Sequence, residues 1–337
     1  MRVRRARDTR PAATIWLNTA TSLRAAPATA YNADIVLRNW ILPALCAAAL
    51  VPCLLSQKVD TARPRVLGIA HLSLLTNDLA AARGFYGHDL GFAEPFGPTA
   101  DHTIFKVNDH QYIELSAQLK DDSQDRLVHV AFETDDAAVL RAYLAGHGVD
   151  VPANIPKDAQ GDLAFAVKDP EGHSIEFVEY VKGSVTSNNF GKALPATRIS
   201  ERIIHTGFTI QDQAAADRFY ADLLGFHAFW HGGRDETQTD WVDMRVPQGT
   251  DWLEYMLNQP HPSVKTRGVM NHLALGVPDI QAAYKTLQDR SAKMAEPPKI
   301  GRDGKWQLNL YDPNLTRAEL MEPKPVRTPC CSPVLDH

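Results

Sequence analysis

Eight residues combine a chemistry-bearing type with a repeated order. His71, Glu114, His129 and Glu176 follow one another at intervals of 43, 15 and 47 residues, and His205, Glu254, His272 and Glu319 at intervals of 49, 18 and 47. Their neighbours are mostly apolar: "AHL", "IEL", "VHV", "IEF", then "IHT", "LEY", "NHL", "AEL". Side chains alternate between the two faces of a strand, so the apolar neighbours turn to a core while the ionisable groups of one half share a concave face. The same alternation in "GIAHLSLL" puts Ile69, His71, Ser73 and Leu75 on one face. Bare carboxylates cost several kcal/mol each to desolvate, so two imidazoles and two carboxylates gathered there call for a cation. Such donors suit a divalent metal ion: Zn, Ni, Mn, Co or Fe(II). One His or Glu in a strand would be an ordinary hydrogen-bonded or solvated residue; eight in one order across two halves favour a metal.

The elements that position these groups come from a repeat. "DLAAARGFYGHDLGF" from Asp78 matches "DQAAADRFYADLLGF" from Asp212 at an offset of 134 residues. Each reads as a helix, with Asp78 or Asp212 at its N-cap and Gly91 or Gly225 ending it, and Ala82, Tyr86 and Leu90 form an apolar stripe. "VHVAFETDD" matches "NHLALGVPD", and "KDPEGHSIEFVE" matches "YDPNLTRAELME", both at an offset of 143. Within each half a weaker repetition appears: a strand with His, a helix opened by Asp, then strands ending in one with Glu. An α+β fold of four βαβββ modules in two tandem domains follows, over 66–181 and 202–322, joined by a Gly, Ser and Asn-rich linker at 182–201.

The chain of 337 residues is 44% apolar with a net charge of -5, which gives no footprint for nucleic acid. Residues 1–39 differ, carrying seven Arg against Asp8 and Asp34. They lead into an apolar stretch, Trp40 to Leu55, too short for a membrane span of roughly 20 residues. Residues 1–63 therefore read as a leader with a signal peptide, implying export to a periplasmic or extracellular space and transient membrane contact during it. The four cysteines fall outside the expected domains, Cys46 and Cys53 in the leader and Cys330 and Cys331 in a Pro-rich tail over 323–337. No disulfide framework or cysteine metal site is expected within the domains.

"GIAHLSLLTNDLAAARGFYGHDLGF", "VHVAFETDD", "DPEGHSIEF" and their second-half counterparts resemble the vicinal oxygen chelate superfamily of glyoxalase I, bleomycin-resistance proteins, methylmalonyl-CoA epimerases and extradiol dioxygenases. The resemblance implies that His71, Glu114, His129 and Glu176 hold one metal and His205, Glu254, His272 and Glu319 another. Pairing of modules within a half or across halves is open, since the spacing permits both. A departure lies in the last hairpin, where "DPEG" (Asp169 to Gly172) becomes "DPNL" (Asp312 to Leu315). Leu315 stands where glycine would take a positive φ at little cost, which leaves the aim of Glu319 open.

The resemblance further implies a metal acting as Lewis acid on two adjacent oxygens of a small substrate while Glu176 or Glu319 moves a proton. Glu114 and Glu254 favour a four-ligand, glyoxalase-like isomerase or lyase over an extradiol Fe(II) dioxygenase, whose two-His, one-Glu set omits that position. A ligand-binding protein of the bleomycin-resistance kind ranks third, because such members commonly lack these ligands. Export disfavours a glutathione substrate. Trp230, Trp241, Trp252 and Trp306 are assigned mainly to packing, with aromatic pocket walls as the alternative, and Arg234, Arg245, Arg302 and Lys305 equally to contact with an anionic substrate or to solvated faces. His102, His110, His173, His227, His231 and His261 receive no role.

Overall fold

The computed structural model describes residues 62–259, 263 and 270–335. The expected leader lies outside them except for its last two residues, as do Cys46, Cys53 and His261. Each half builds its own mixed sheet. The first contains β1 (Val66–Leu75), β2 (His102–Lys106), β3 (Tyr112–Ser116), β4 (Leu127–Thr134), β5 (Leu163–Lys168) and β6 (Ser174–Glu179) in the order β2-β3-β1-β4-β6-β5. The second contains β7 (Ile203–Thr209), β8 (His227–Gly232), β9 (Trp241–Arg245), β10 (Trp252–Met256), β11 (His272–Gly276), β12 (Lys299–Ile300), β13 (Trp306–Tyr311) and β14 (Arg317–Met321). Its order is β12-β13-β14-β11-β7-β10-β9-β8. Strand-helix-strands units thus pair inside a half, and the exchange across halves that the spacing permitted does not occur. In the first half the strand after each helix shrinks to a single bridge, Ala93 with Lys106 and Lys157 with Leu163.

At the middle of each sheet two strands run antiparallel, β1 with β4 and β7 with β11, and each has a parallel neighbour outside it, β3 and β6 or β10 and β14. These four central strands carry the His and Glu residues. One expectation is corrected here: Ile69 does not share a face with His71. The pairing of β1 with β4 shifts register between Ile69 and His71, and a bulge of this kind reverses which side chains point inward. Ile69, Leu72 and Leu74 consequently pack into the main core while Ala70 lies in a separate cluster on the other face. The second half repeats the device: the pairing slips between Ala274 and Leu275, opposite Ile203 and His205, so that Ile203 and Phe208 join the core and Ile204 faces away.

The helices sit on the core side. Asp78 and Asp212 cap α1 (Leu79–Ala82) and α4 (Gln213–Asp217) by accepting from Ala81 N and Ala215 N, as expected. Asp136 and Asp279 do the same for α2 (Ala137–Gly146) and α5 (Ile280–Asp289); α3 (Val185–Asn188) lies in the linker. Beyond α1 and α4 the helix widens into π turns, with Leu90 N bonding Phe85 O and Leu224 N bonding Phe219 O, before Gly91 and Gly225 end it at φ 79° and 77°. The tyrosine of each wide turn reaches the other half. Tyr86 OH donates to Asp312 at 3.0 Å and Tyr220 OH to Asp169 at 2.9 Å, which explains why the Phe-Tyr and Asp-Pro motifs recur together. Both tyrosines are fully buried, so these hydrogen bonds are shielded from water.

The tail also departs from expectation. Instead of hanging free, it returns to β8: Trp230 Nε1 donates to Cys330 O, Ser332 Oγ bonds the backbone of His231 on both sides, and Leu335 N donates to Phe229 O. Cys330 and Cys331 form a disulfide with each other, a bond between neighbours that closes no loop. The Pro-rich composition of this segment carries no signal for the contact, which comes from Val334 packing against the second half's concave cluster.

Candidate metal centres

In the first half the bulge turns His71 onto the concave face, where it stacks on Tyr112 with ring centroids 4.4 Å apart. His71 Nε2 and His129 Nε2 are 2.8 Å apart, and Glu176 Oε1 lies 3.3 Å from the first and 3.7 Å from the second. Glu114 stands further off: its Oε2 is 4.0 Å from His129 Nε2, while its Oε1 takes a 2.6 Å hydrogen bond from His102 Nε2. Burial alone would raise the Glu114 carboxyl; that hydrogen bond, with His71, Ser73 and His129 beside it, instead brings it down to about 2. Burial opposes the charged form of Glu176 too, and His71 outweighs it, leaving the carboxyl below its ordinary range. His129 is lowered by burial and by His71, which favours a neutral ring.

In the second half His205 Nε2 and His272 Nε2 are 3.0 Å apart. Glu254 Oε2 lies 3.2 Å from His272 and 4.0 Å from His205, and Glu319 Oε2 lies 3.5 Å from His205 and 3.8 Å from His272. The aim of Glu319, left open by the DPNL turn, is therefore into the centre. Leu315 itself adopts φ 65° and so reproduces the turn that Gly172 makes at φ 88°. Burial raises Glu254, with Glu319 adding to it; Glu319 is brought down to about 2 by His205 and Arg317 against its own burial. His272 is pushed down to about 3, by burial first and then by the Arg317 cation.

Three sets of neighbours escaped sequence reasoning. His102 is a strand residue rather than a turn residue, and it holds Glu114. Arg317 places Nη2 2.8 Å from His272 Nε2 and 2.9 Å from its Nδ1; its only mark in the sequence is that it replaces Ser174 when the two halves are aligned. Trp230, Trp241 and Trp252, read mainly as packing, line a cavity of about 300 Å³ over the second centre together with Asp243, Arg302 and Asn309. Arg245 and Lys305, expected either to meet an anionic substrate or to lie on solvated faces, lie over the Phe229 ring, Lys305 buried beside Asp303. Arg234, paired with Asp240, and Arg302 remain exposed.

The donor sets fit a divalent ion. An ion about 2.1 Å from nitrogen and oxygen donors requires those donors about 3.0 Å apart in octahedral and about 3.4 Å apart in tetrahedral coordination. The separations above straddle those values. His71, His129 and Glu176, and likewise His205, Glu254 and His272, each offer one atom within 4.8 Å of the others. His272 Nδ1 meets the Met270 carbonyl at 2.9 Å, which places the ring proton there and leaves Nε2 as the donor to an ion. Among the described residues His71 Nδ1 and His205 Nδ1 are buried without a partner, so no hydrogen bond of Nδ1 fixes the tautomer of these two rings as Met270 does for His272.

No curated protein matches the chain by sequence. Solved structures do. The Mn(II)-bound glyoxalase from Novosphingobium aromaticivorans is 19% identical, covers 77% of this chain and 83% of its own, and has a TM-score of 0.61. Homoprotocatechuate 2,3-dioxygenase from Brevibacterium fuscum, in complex with 3,4-dihydroxyphenylacetate, is 20% identical over 82% of this chain and 87% of its own, at 0.59. A 2,3-dioxygenase from Pseudomonas is 17% identical over 80% and 97%, at 0.61. At these identities the likeness is one of fold. The profile of the glyoxalase, bleomycin-resistance protein and dioxygenase superfamily matches residues 68–177 and 202–320, one copy on each sheet, and the chain belongs to that superfamily.

Proposed function

We propose that the protein is a metal-dependent enzyme of this superfamily, a glyoxalase-like isomerase or lyase acting on a small substrate with two adjacent oxygens. The observation that supports it most is the convergence, in each half, of two imidazole Nε2 atoms and one carboxylate on one point of the concave face, with a second carboxylate within 4.0 Å of one of those imidazoles. His71, Glu114, His129 and Glu176 would hold one ion, and His205, Glu254, His272 and Glu319 the other. When bound, such an ion supplies Lewis acidity toward the substrate oxygens. Glu176 and Glu319 are the candidate proton carriers: each stands mid-strand on the strand that lines its centre, with its carboxylate toward the histidine pair. Around the second centre the three tryptophans narrow the approach and limit water.

One observation favours a second reading. In the first half the tight donor set is His71, His129 and Glu176, with Glu114 drawn aside, and a two-His, one-carboxylate set suits Fe(II) oxygen chemistry. The neighbours include both a Mn(II)-bound glyoxalase and catechol-type dioxygenases. Metal analysis of protein purified without added metal separates the two: nickel, zinc or cobalt supports the isomerase or lyase, and iron with oxygen uptake on catechols supports the dioxygenase. With the substrate so identified, Glu176→Gln and Glu319→Gln should each be assayed. Loss of turnover of about 100-fold or more, with most of the metal retained, is expected in at least one; unchanged turnover in both removes the proton-carrier assignment.

A further inference from the structure

The second centre contains a cation of its own. Arg317 Nη2 is 2.8 Å from His272 Nε2 and 4.0 Å from Glu254 Oε2. Arg317 Nη2 is also 2.9 Å from His272 Nδ1, so the guanidinium lies against the imidazole ring, off the Nε2 lone pair that an ion would use, and sets a fixed positive charge 2.8 Å from that nitrogen. Arg317 cannot withdraw far, since it lies on β14 only two residues from Glu319 and in register opposite His272. The ring cannot withdraw either: a Cβ added to Gly207 would lie 2.1 Å from His272 Cε1, so the imidazole is seated directly on the backbone of β7. The corresponding residues of the first half are Ser174 and Ser73, both small and neutral. The first centre therefore has the same donor types without the competing charge.

We propose that Arg317 is a built-in counter-cation that makes the two centres unequal: the first takes a divalent ion tightly, and the second takes one only in competition with the guanidinium. The inference rests on the metal reading above and goes beyond it by assigning unequal occupancy and the residue responsible. A fixed positive charge beside the donors disfavours a dication through repulsion. Its removal relieves that repulsion.

The test uses Mn2+ alone, titrated calorimetrically into full-length protein carrying two paired knockouts. His71→Ala with His129→Ala leaves only the second centre, and His205→Ala with His272→Ala only the first; circular dichroism checks that each remains folded. The first centre should bind at least about tenfold more tightly than the second. Adding Arg317→Ser to the first-centre knockout should tighten the second by about tenfold, and adding Ser174→Arg to the second-centre knockout should weaken the first by a similar factor. Equal affinities for the two centres, with no response to Arg317→Ser, overturn the proposal while leaving the metal reading intact. Absence of binding in both folded backgrounds overturns the metal reading and the proposal with it.

Discussion

The two centres share a donor order and differ in nearly everything around it. On the concave face of the first sheet the buried cluster is Ala70, Ala131, Ala164 and Val178, with Tyr112 stacked on His71; on that of the second it is Ile204, Phe229, Trp230, Ala274, Trp252 and Met321, with Trp252 beside His205. Cross-strand partners diverge as well. Glu114 faces Ile104 and Glu176 faces Ala166, whereas Glu254 faces Asp243 and Glu319 faces Asn309. His102 occupies the register position that Trp241 holds in the second half. A duplicated sheet thus fixes where the donors stand, and substitutions at positions on the same face, none of them donors to the centre, set charge, room and ligand availability.

The largest of the effects that would test this contrast concerns His102. In the first half it takes one oxygen of Glu114 away from the centre. Phenylalanine at that position, closer to the Trp241 of the second half, releases the carboxylate. It also leaves the metal-free protein with a buried acid that has lost a charge-assisted hydrogen bond worth about 1.5–3 kcal/mol. Both consequences drive metal uptake, so His102→Phe should raise the first centre's affinity for Mn2+ by about tenfold and lower the melting temperature of the metal-free protein. Weaker binding in that variant would instead mean that His102 orients Glu114 toward the ion, and the first centre would count as a four-donor site like the second.

A smaller effect probes what the halves have in common. Tyr86→Phe removes the donor to Asp312 and Tyr220→Phe the donor to Asp169. Each should cost about 1–2 kcal/mol in chemical denaturation, because a buried carboxylate loses one partner. The two losses should agree within about 0.5 kcal/mol and add in the double variant, the sites being separate. Unequal costs would show that the crossed contacts are alike in geometry only.

The sequence carried the donors and the repeat well because both depend on residue type and period. His and Glu between apolar residues were legible as strand positions, and Asp78 and Asp212 as helix starts. What escaped reading depends on contacts distant in sequence. The bulge before His71 leaves no mark in "GIAHLSLL", since Ala70 is compatible with either face. Pairing of modules within each half is a choice between two arrangements of equal spacing. His102 and Arg317 gain their roles only when β2 and β14 are laid beside their neighbours, and the return of the tail to β8 depends on Val334 meeting a wall made by residues about one hundred positions earlier.

The smallest effect lies in the two turns that deliver Glu176 and Glu319. Gly172 sits at φ 88° with open space where a Cβ would be, so the first turn tolerates volume and is constrained only by its backbone angle. Leu315 takes φ 65° with half its surface exposed and therefore bears the cost of the left-handed conformation, about 1–2 kcal/mol for a side chain of this kind. Exchange to glycine relieves that cost but loosens the unfolded chain by about 0.5–1 kcal/mol. Leu315→Gly should then stabilise the protein by about 0.5 kcal/mol, and Gly172→Leu should destabilise it by about the same amount or slightly more. The backbone hydrogen bonds that hold the second turn, Asp312 N to Thr316 O and Leu315 N to Asp312 O, do not involve the leucine side chain and persist in the variant. Second-centre metal affinity in Leu315→Gly should accordingly stay within twofold of the parent, about 0.4 kcal/mol. A larger change would show that the strained turn sets the aim of Glu319, and that the two halves differ in their ligands' placement as well as in their surroundings.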